Sequence, residues 1–149
     1  MHKAVAAIFC VASAALCGAS AWAQMTPVGL WRSIDDSSGE AKSEIEIHDN
    51  GGTLEGRITK LLGKNADDQG KLCVECRDEL KDKPLVGLTI ITGAKKVEGQ
   101  NVWEGGKILD PENGKTYTLR LTPVNGGGTL EVRGSIAMFG RTQTWQRVR

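Results

Sequence analysis

The chain has 149 residues, with 19 Lys and Arg against 18 Asp and Glu, a formal charge of +1. That balance excludes the strongly basic footprint of a nucleic-acid binder, and no basic tract offers itself to anionic lipid. Length allows one domain of ordinary size with its own core and is too short for two comfortable ones.

Met1 to Ala23 opens with His2 and Lys3, runs apolar from Ala4 to Leu16, and ends in small residues at Ala21-Trp22-Ala23. This is the pattern of a cleaved signal peptide, which predicts a domain from Gln24 to Arg149 in the periplasm or outside the cell. The apolar core is shorter than the roughly 20 residues that span a bilayer, so no transmembrane segment is expected. Leu16 stands where a lipoprotein signal wants a small residue before Cys17, which argues against a lipid anchor. Cleavage would remove Lys3, leaving 18 basic residues against 18 acidic ones, and would also remove Cys10 and Cys17.

Val28 to Ile34 reads as a first strand, ended by the turn composition of Asp35 to Gly39. Ser43 to His48 alternates polar and apolar residues, and Asp49-Asn50-Gly51-Gly52 turns tightly into Thr53 to Leu62, where Leu54, Gly56 and Ile58 share a face. From Gly63 to Pro84 the chain is polar, charged and longer than an ordinary hairpin connection. Leu85 to Thr92 reads as the fourth strand, Val102 to Leu109 as the fifth and Thr116 to Thr122 as the sixth, with Tyr117, Leu119 and Leu121 on one face. Leu130 to Ile136, with Leu130, Val132 and Gly134 inward, and Arg141 to Val148 complete the series.

About eight evenly spaced strands without a helical period predict an all-β fold, a single up-and-down antiparallel β-barrel with a long disulfide-bearing loop. A two-sheet sandwich is the structural rival, because strand count alone does not separate the two. Gly56, Gly87, Gly105, Gly106 and Gly134 read as places where a barrel bends or admits a close neighbour.

Cys73-Val74-Glu75-Cys76 holds the only cysteines beyond the leader. Its spacing is that of redox motifs, but a thiol-disulfide enzyme needs the first cysteine at a helix start in a βαβ setting, and none is visible. A structural disulfide stiffening the loop is the reading preferred in an oxidising compartment. Because so few residues are enclosed, its loop-closure effect on the whole fold is expected to be small. Zinc would have to recruit His48 and a carboxylate, so no metal or cofactor is expected. No nucleophile has an evident base and orienting group, and no catalytic residues are assigned. Asp35 with Asp36 and Glu44 with Glu46 read as solvated pairs, and Asp110-Pro111-Glu112-Asn113-Gly114 as a turn rather than a calcium loop.

Four runs carry a resemblance: Gly29-Leu30-Trp31-Arg32; Leu80-Lys81-Asp82-Lys83-Pro84-Leu85-Val86-Gly87-Leu88; Gly106-Lys107-Ile108-Leu109-Asp110-Pro111-Glu112-Asn113-Gly114-Lys115-Thr116-Tyr117; and Phe139-Gly140-Arg141-Thr142-Gln143-Thr144-Trp145. They resemble a bacterial exported family known as domain of unknown function 2147, and the resemblance implies a lipocalin-like barrel. It brings no reaction, ligand or catalytic residue with it. Gly29-Leu30-Trp31 is also similar to the Gly-x-Trp that opens lipocalins, which implies a late-strand arginine, Arg147 or Arg141, packed over Trp31 to close one end of the barrel. An ordinary buried strand Trp is the alternative.

Two functions follow from this reading. The first is a carrier or sensor of a small apolar or amphipathic molecule, since bulky inward side chains are few and a barrel of this size can hold one ligand. The second is a structural or interaction module of the cell envelope with a filled interior and an envelope protein as partner. Ligand-binding residues and oligomeric state are left unassigned, and catalysis ranks below both.

Overall fold

The computed structural model describes residues 25–149. The segment expected to be a signal peptide, Met1 to Ala23, lies outside the described residues. Eight strands follow one another: β1 (Gly29–Ile34), β2 (Ala41–Asn50), β3 (Thr53–Leu61), β4 (Thr89–Lys96), β5 (Trp103–Asp110), β6 (Lys115–Val124), β7 (Thr129–Ile136) and β8 (Phe139–Arg147). Each pairs antiparallel with its sequence neighbour, and β8 returns to β1, so the sheet closes into a barrel and the sandwich is excluded. Closure removes the unpaired edges that a flat sheet of these strands would expose.

Alternation decides which side chains enter. Ile45 and Ile47 of β2, Leu54 and Ile58 of β3, Leu119 and Leu121 of β6, and Leu130 and Val132 of β7 are all buried in one core with Trp31 and Trp145. Burying a side chain of this kind contributes about 1.5–3 kcal/mol, so the period-two pattern holds the register against a one-residue slip. Three of the strand glycines sit where neighbours crowd in: Gly56 beneath Ile91, Gly106 against the backbone of Thr92 and Ala94, and Gly134 against Tyr117. The β5–β6 register shifts between Trp103 and Gly106, a bulge that bends the wall. Gly87 lies outside every strand.

The fourth strand begins later than its composition predicts, at Thr89 instead of Leu85. Leu85 donates its N–H to Lys71 O (2.9 Å), Pro84 bridges to Leu72, and Gly87 donates to Ile58 O (2.7 Å). These residues therefore finish the long loop. An apolar run bounded by a proline has the composition of a buried strand, but here it is the inward face of a loop, with Leu85 and Val86 packed on the core.

The seam between β1 and β8 is the shortest, with two paired positions, Trp31 with Arg147 and Arg32 with Gln146. Both lie toward the same end of the barrel. There the last residues reinforce the seam, Leu30 N–H donating to Arg149 O (2.8 Å) and Val148 N–H to Leu30 O (2.8 Å). Among the described residues no helix is long and apolar enough to cross a membrane.

Candidate functional site

The barrel has two unlike ends. At one end the chain enters, and the short turns at Gly51-Gly52, Val97 to Val102 and Asn125 to Gly128 gather with the last residues. Trp31 is fully buried there, and the Arg147 guanidinium lies over its ring at 4.2 Å. Arg147 donates from Nε to Gly127 O (2.6 Å), from Nη1 to Val28 O (2.9 Å) and from Nη2 to Thr26 O (2.6 Å). Trp31 Nε1 donates to Pro27 O at 2.7 Å. A cation held by three carbonyls and an aromatic face keeps its solvation while closing an apolar interior. Burial pushes the Arg147 pKa down from its ordinary value.

This geometry gives the Gly-Leu-Trp tripeptide a physical reason. Gly29 has φ +141, and a Cβ on it would collide with Arg147 Nη1 and Arg149 O. Only glycine supplies both the conformation and the space. Of the two arginines expected over Trp31, Arg147 takes the position. Arg141 is at the opposite end, near the start of β8, where its Nε donates to Asp36 Oδ2 at 2.8 Å. Being six positions earlier along β8, it lies toward the other rim. That ion pair bridges β8 to the turn after β1, across the part of the seam that has no ladder, and it raises the Arg141 pKa.

The other end is a mouth. Its rim is formed by the turn after β1, the β3–β4 loop, the β5–β6 turn and the β7–β8 turn. Inside is a cavity of about 800 Å³. Its wall is apolar in the main, with Ile45, Ile58, Leu61, Leu85, Ile90, Ile108, Val132 and Trp145, interrupted by Ser33, Ser43, Tyr117 and Gln143, and charged side chains such as Lys42, Lys71, Glu112 and Arg141 also line it. Ser33 and Ser43 face each other across β1 and β2, oxygen to oxygen at 2.8 Å. Trp145 Nε1 donates to Gln143 Oε1 at 3.4 Å, and Tyr117 OH accepts from Asn113 Nδ2 at 2.9 Å. An apolar interior with a few inward polar side chains, bordered by charged ones, suits one molecule with an apolar body and hydrogen-bonding groups.

The long loop leans over this mouth. Cys73 and Cys76 are joined in a disulfide and are 1% and 2% exposed, packed with the barrel core. Cys73 N–H donates to Lys83 O (2.7 Å) and Asp82 N–H to Cys73 O (3.0 Å), so these backbone hydrogen bonds, set beside the bridge, tie both flanks of the loop together. Leu61 exchanges hydrogen bonds with the Gln69 side chain, 2.9 Å each way, anchoring the loop's start to the end of β3. The loop rests on the β5–β6 turn at Gly114, whose φ of +71 and lack of a side chain let the Glu75 carbonyl approach. Lys42 reaches across to Glu112 at 2.7 Å.

Other residues weighed for chemistry are placed elsewhere. His48 lies on β2 near the closed end, 3.3 Å from Glu55, and is not brought to the cysteines. Asp35 caps its own turn, accepting from Ser37 N (2.9 Å) and Ser38 N (3.0 Å). The Ser37 hydroxyl, those amides and Lys42 hold its pKa well below the usual carboxylate range. Asp110 Oδ1 accepts from Glu112 N (2.9 Å), so that carboxylate organises the β5–β6 turn. Ser33, Ser43 and Gln143 escaped the sequence reading, although a polar residue at an inward position of each strand was a visible signal.

An eight-stranded up-and-down barrel closed at one end by an Arg-on-Trp pair and open at the other onto an apolar cavity is a lipocalin-like calyx. Its sequence profile matches, over residues 29–147, the family described as "Uncharacterized protein conserved in bacteria (DUF2147)", and the chain belongs to that family. Among solved structures it is similar to one described as "Protein HP1028 from the human pathogen Helicobacter pylori belongs to the lipocalin family". The TM-score is 0.69 and the identity 21%, with 82% of each chain covered, a likeness that concerns the fold. A search of curated proteins finds no match.

Proposed function

We propose that the protein is an exported, non-enzymatic carrier or sensor that holds one small amphipathic molecule in the barrel, where Ser33, Ser43 and Gln143 offer hydrogen bonds among apolar side chains that include Trp145 and Val132. The observation that carries this reading is the cavity of about 800 Å³ with one open end, within the size range that ligand sites occupy. The lipocalin-like fold supports small-ligand binding in general. The signal-like leader supports periplasmic or secreted localisation.

Trp145 in the cavity wall provides the test. Long-chain fatty acids or a hydrophobic dye should quench or shift its fluorescence saturably, and Val132→Phe, which takes up cavity volume, should weaken that binding while the barrel stays folded. Denaturing extraction and mass spectrometry of the purified protein should release a co-purified small molecule. Absence of saturable binding by every such probe would reject the carrier and favour an envelope-interaction module.

A further inference from the structure

The β7–β8 turn breaks the rule that hairpin tips are polar. Ile136-Ala137-Met138-Phe139 crosses it, with Met138 92% and Phe139 81% exposed and Ile136 also out in solvent. Ala137 holds φ 51, a left-handed conformation that costs a residue with a Cβ and that Gly or Asn normally occupies. The turn therefore tolerates both backbone strain and two large apolar side chains in water. Neither contributes to the barrel core.

Cations lie on the outer wall beside this tip. On the outer wall, Lys107, Thr118, Ser135 and Gly140 lie in one cross-strand row of β5 to β8, and Arg120, Arg133 and Thr142 lie in the next. Arg133 runs over Gly140, where a Cβ would collide with its guanidinium, so the missing side chain lets this charge reach the base of the tip. Arg120 is offset by Glu104 (3.4 Å) and Arg141 by Asp36, whereas among the described residues Lys107 and Arg133 have hydroxyl partners, Thr118 (3.4 Å) and Thr142 (3.4 Å). These charges come from different strands, so no basic tract shows in the sequence.

We propose that the tip is a docking element for a lipid bilayer with anionic headgroups: Met138 and Phe139 enter the interfacial region while Lys107 and Arg133 meet the headgroups. Apolar insertion combined with nearby cations is the combination that holds a protein at such a surface. Because the tip is on the rim, docking turns the mouth toward the bilayer. In ring order the tip stands four strands from the β3–β4 loop in either direction, so the loop stays on the far side of the mouth. The proposal stands whether or not the cavity is loaded.

Sedimentation of the purified protein with vesicles tests it. It should partition onto phosphatidylethanolamine vesicles containing phosphatidylglycerol and much less onto phosphatidylcholine alone, with binding that weakens as salt rises. Met138→Ser with Phe139→Ser should lower partitioning by roughly tenfold or more. Lys107→Gln and Arg133→Gln should each lower it by roughly fivefold. Near-ultraviolet circular dichroism from Trp31 and Trp145 checks that each variant keeps the barrel, and Met138→Ser alone, at the most exposed position, serves as the mildest change. Failure of the wild type to bind, equal binding to both vesicle types, or full binding by the tip variant would overturn the proposal. So would a dimer without lipid that the tip variant abolishes, since the apolar tip would then seat a second copy.

Discussion

The closed end and the mouth use the same sheet in opposite ways. At the closed end, one guanidinium collects three carbonyls and an indole face, and the ladder between β1 and β8 is present. At the mouth the ladder is missing, an ion pair spans the gap, and a loop held by a disulfide and a glycine contact leans over a cavity. The difference teaches where rigidity is placed. Contacts that converge on a few buried groups fix one end, so the other can keep its volume without the barrel losing its closure.

The largest effect should come from Trp31→Ala, which removes a fully buried indole and leaves Arg147 without its ring. A loss of about 3–5 kcal/mol is expected in urea unfolding followed by circular dichroism. If the loss were under about 1 kcal/mol, the closed end would not be the anchor described here. Arg147→Met comes next, since three carbonyls lose a charged donor, and about 2 kcal/mol is expected from the same measurement. Arg147→Lys should recover little of it, because one ammonium cannot reproduce the planar fork.

These two residues show how far the sequence was legible. The Gly-Leu-Trp run marked Trp31, and both Arg147 and Arg141 were possible partners, because each stands on the last strand and only the register decides which arginine reaches the ring. Alternation identified the inward faces of β2, β3, β6 and β7, since each of those strands buries one side only. The start of β4 was misread because period and composition do not separate an apolar loop face from a strand. The tip at Met138 and Phe139 was left unassigned, as its exposure depends on how far the hairpin extends past the rim.

At the mouth, Cys73→Ala with Cys76→Ala should cost about 2 kcal/mol from the chain-entropy relation for so short a closed loop. Hydrogen exchange should rise between Gly63 and Pro84 and leave the Leu119 and Leu130 amides protected. Exchange rising equally throughout would mean that the buried cystine belongs to the core in energy as well as in position. This refines the expectation of a mainly local role, because both sulfurs are packed among core side chains.

The smallest effect is a pH dependence at the mouth turn. Asp35 has a folded pKa depressed below the unfolded value of about 3.9, so its caps on Ser37 and Ser38 are fully present above that value and are lost only as pH falls through the lower folded one. Carboxyl titration by nuclear magnetic resonance should find Asp35 still ionised after ordinary aspartates have protonated. A midpoint at the ordinary value would show that the caps are not formed in solution.

The seam offers a consequence of another kind. Arg147 Nη2 reaches Thr26 O at 2.6 Å and Arg149 O accepts from Leu30 N–H at 2.8 Å, so the first described residues and the last lie side by side beneath the barrel floor. A short linker from Arg149 back to Thr26 would make a circular permutant feasible, with new ends cut into the β3–β4 loop. In such a rewired chain every strand keeps its neighbours, while the two halves of the loop are held by Gln69, the ledge at Gly114 and the backbone hydrogen bonds that join Lys71 to Leu85 and Cys73 to Lys83. Barrel and rim would then become separable parts, and the affinity of a cavity probe for the permutant would report how much of the mouth's shape depends on unbroken backbone.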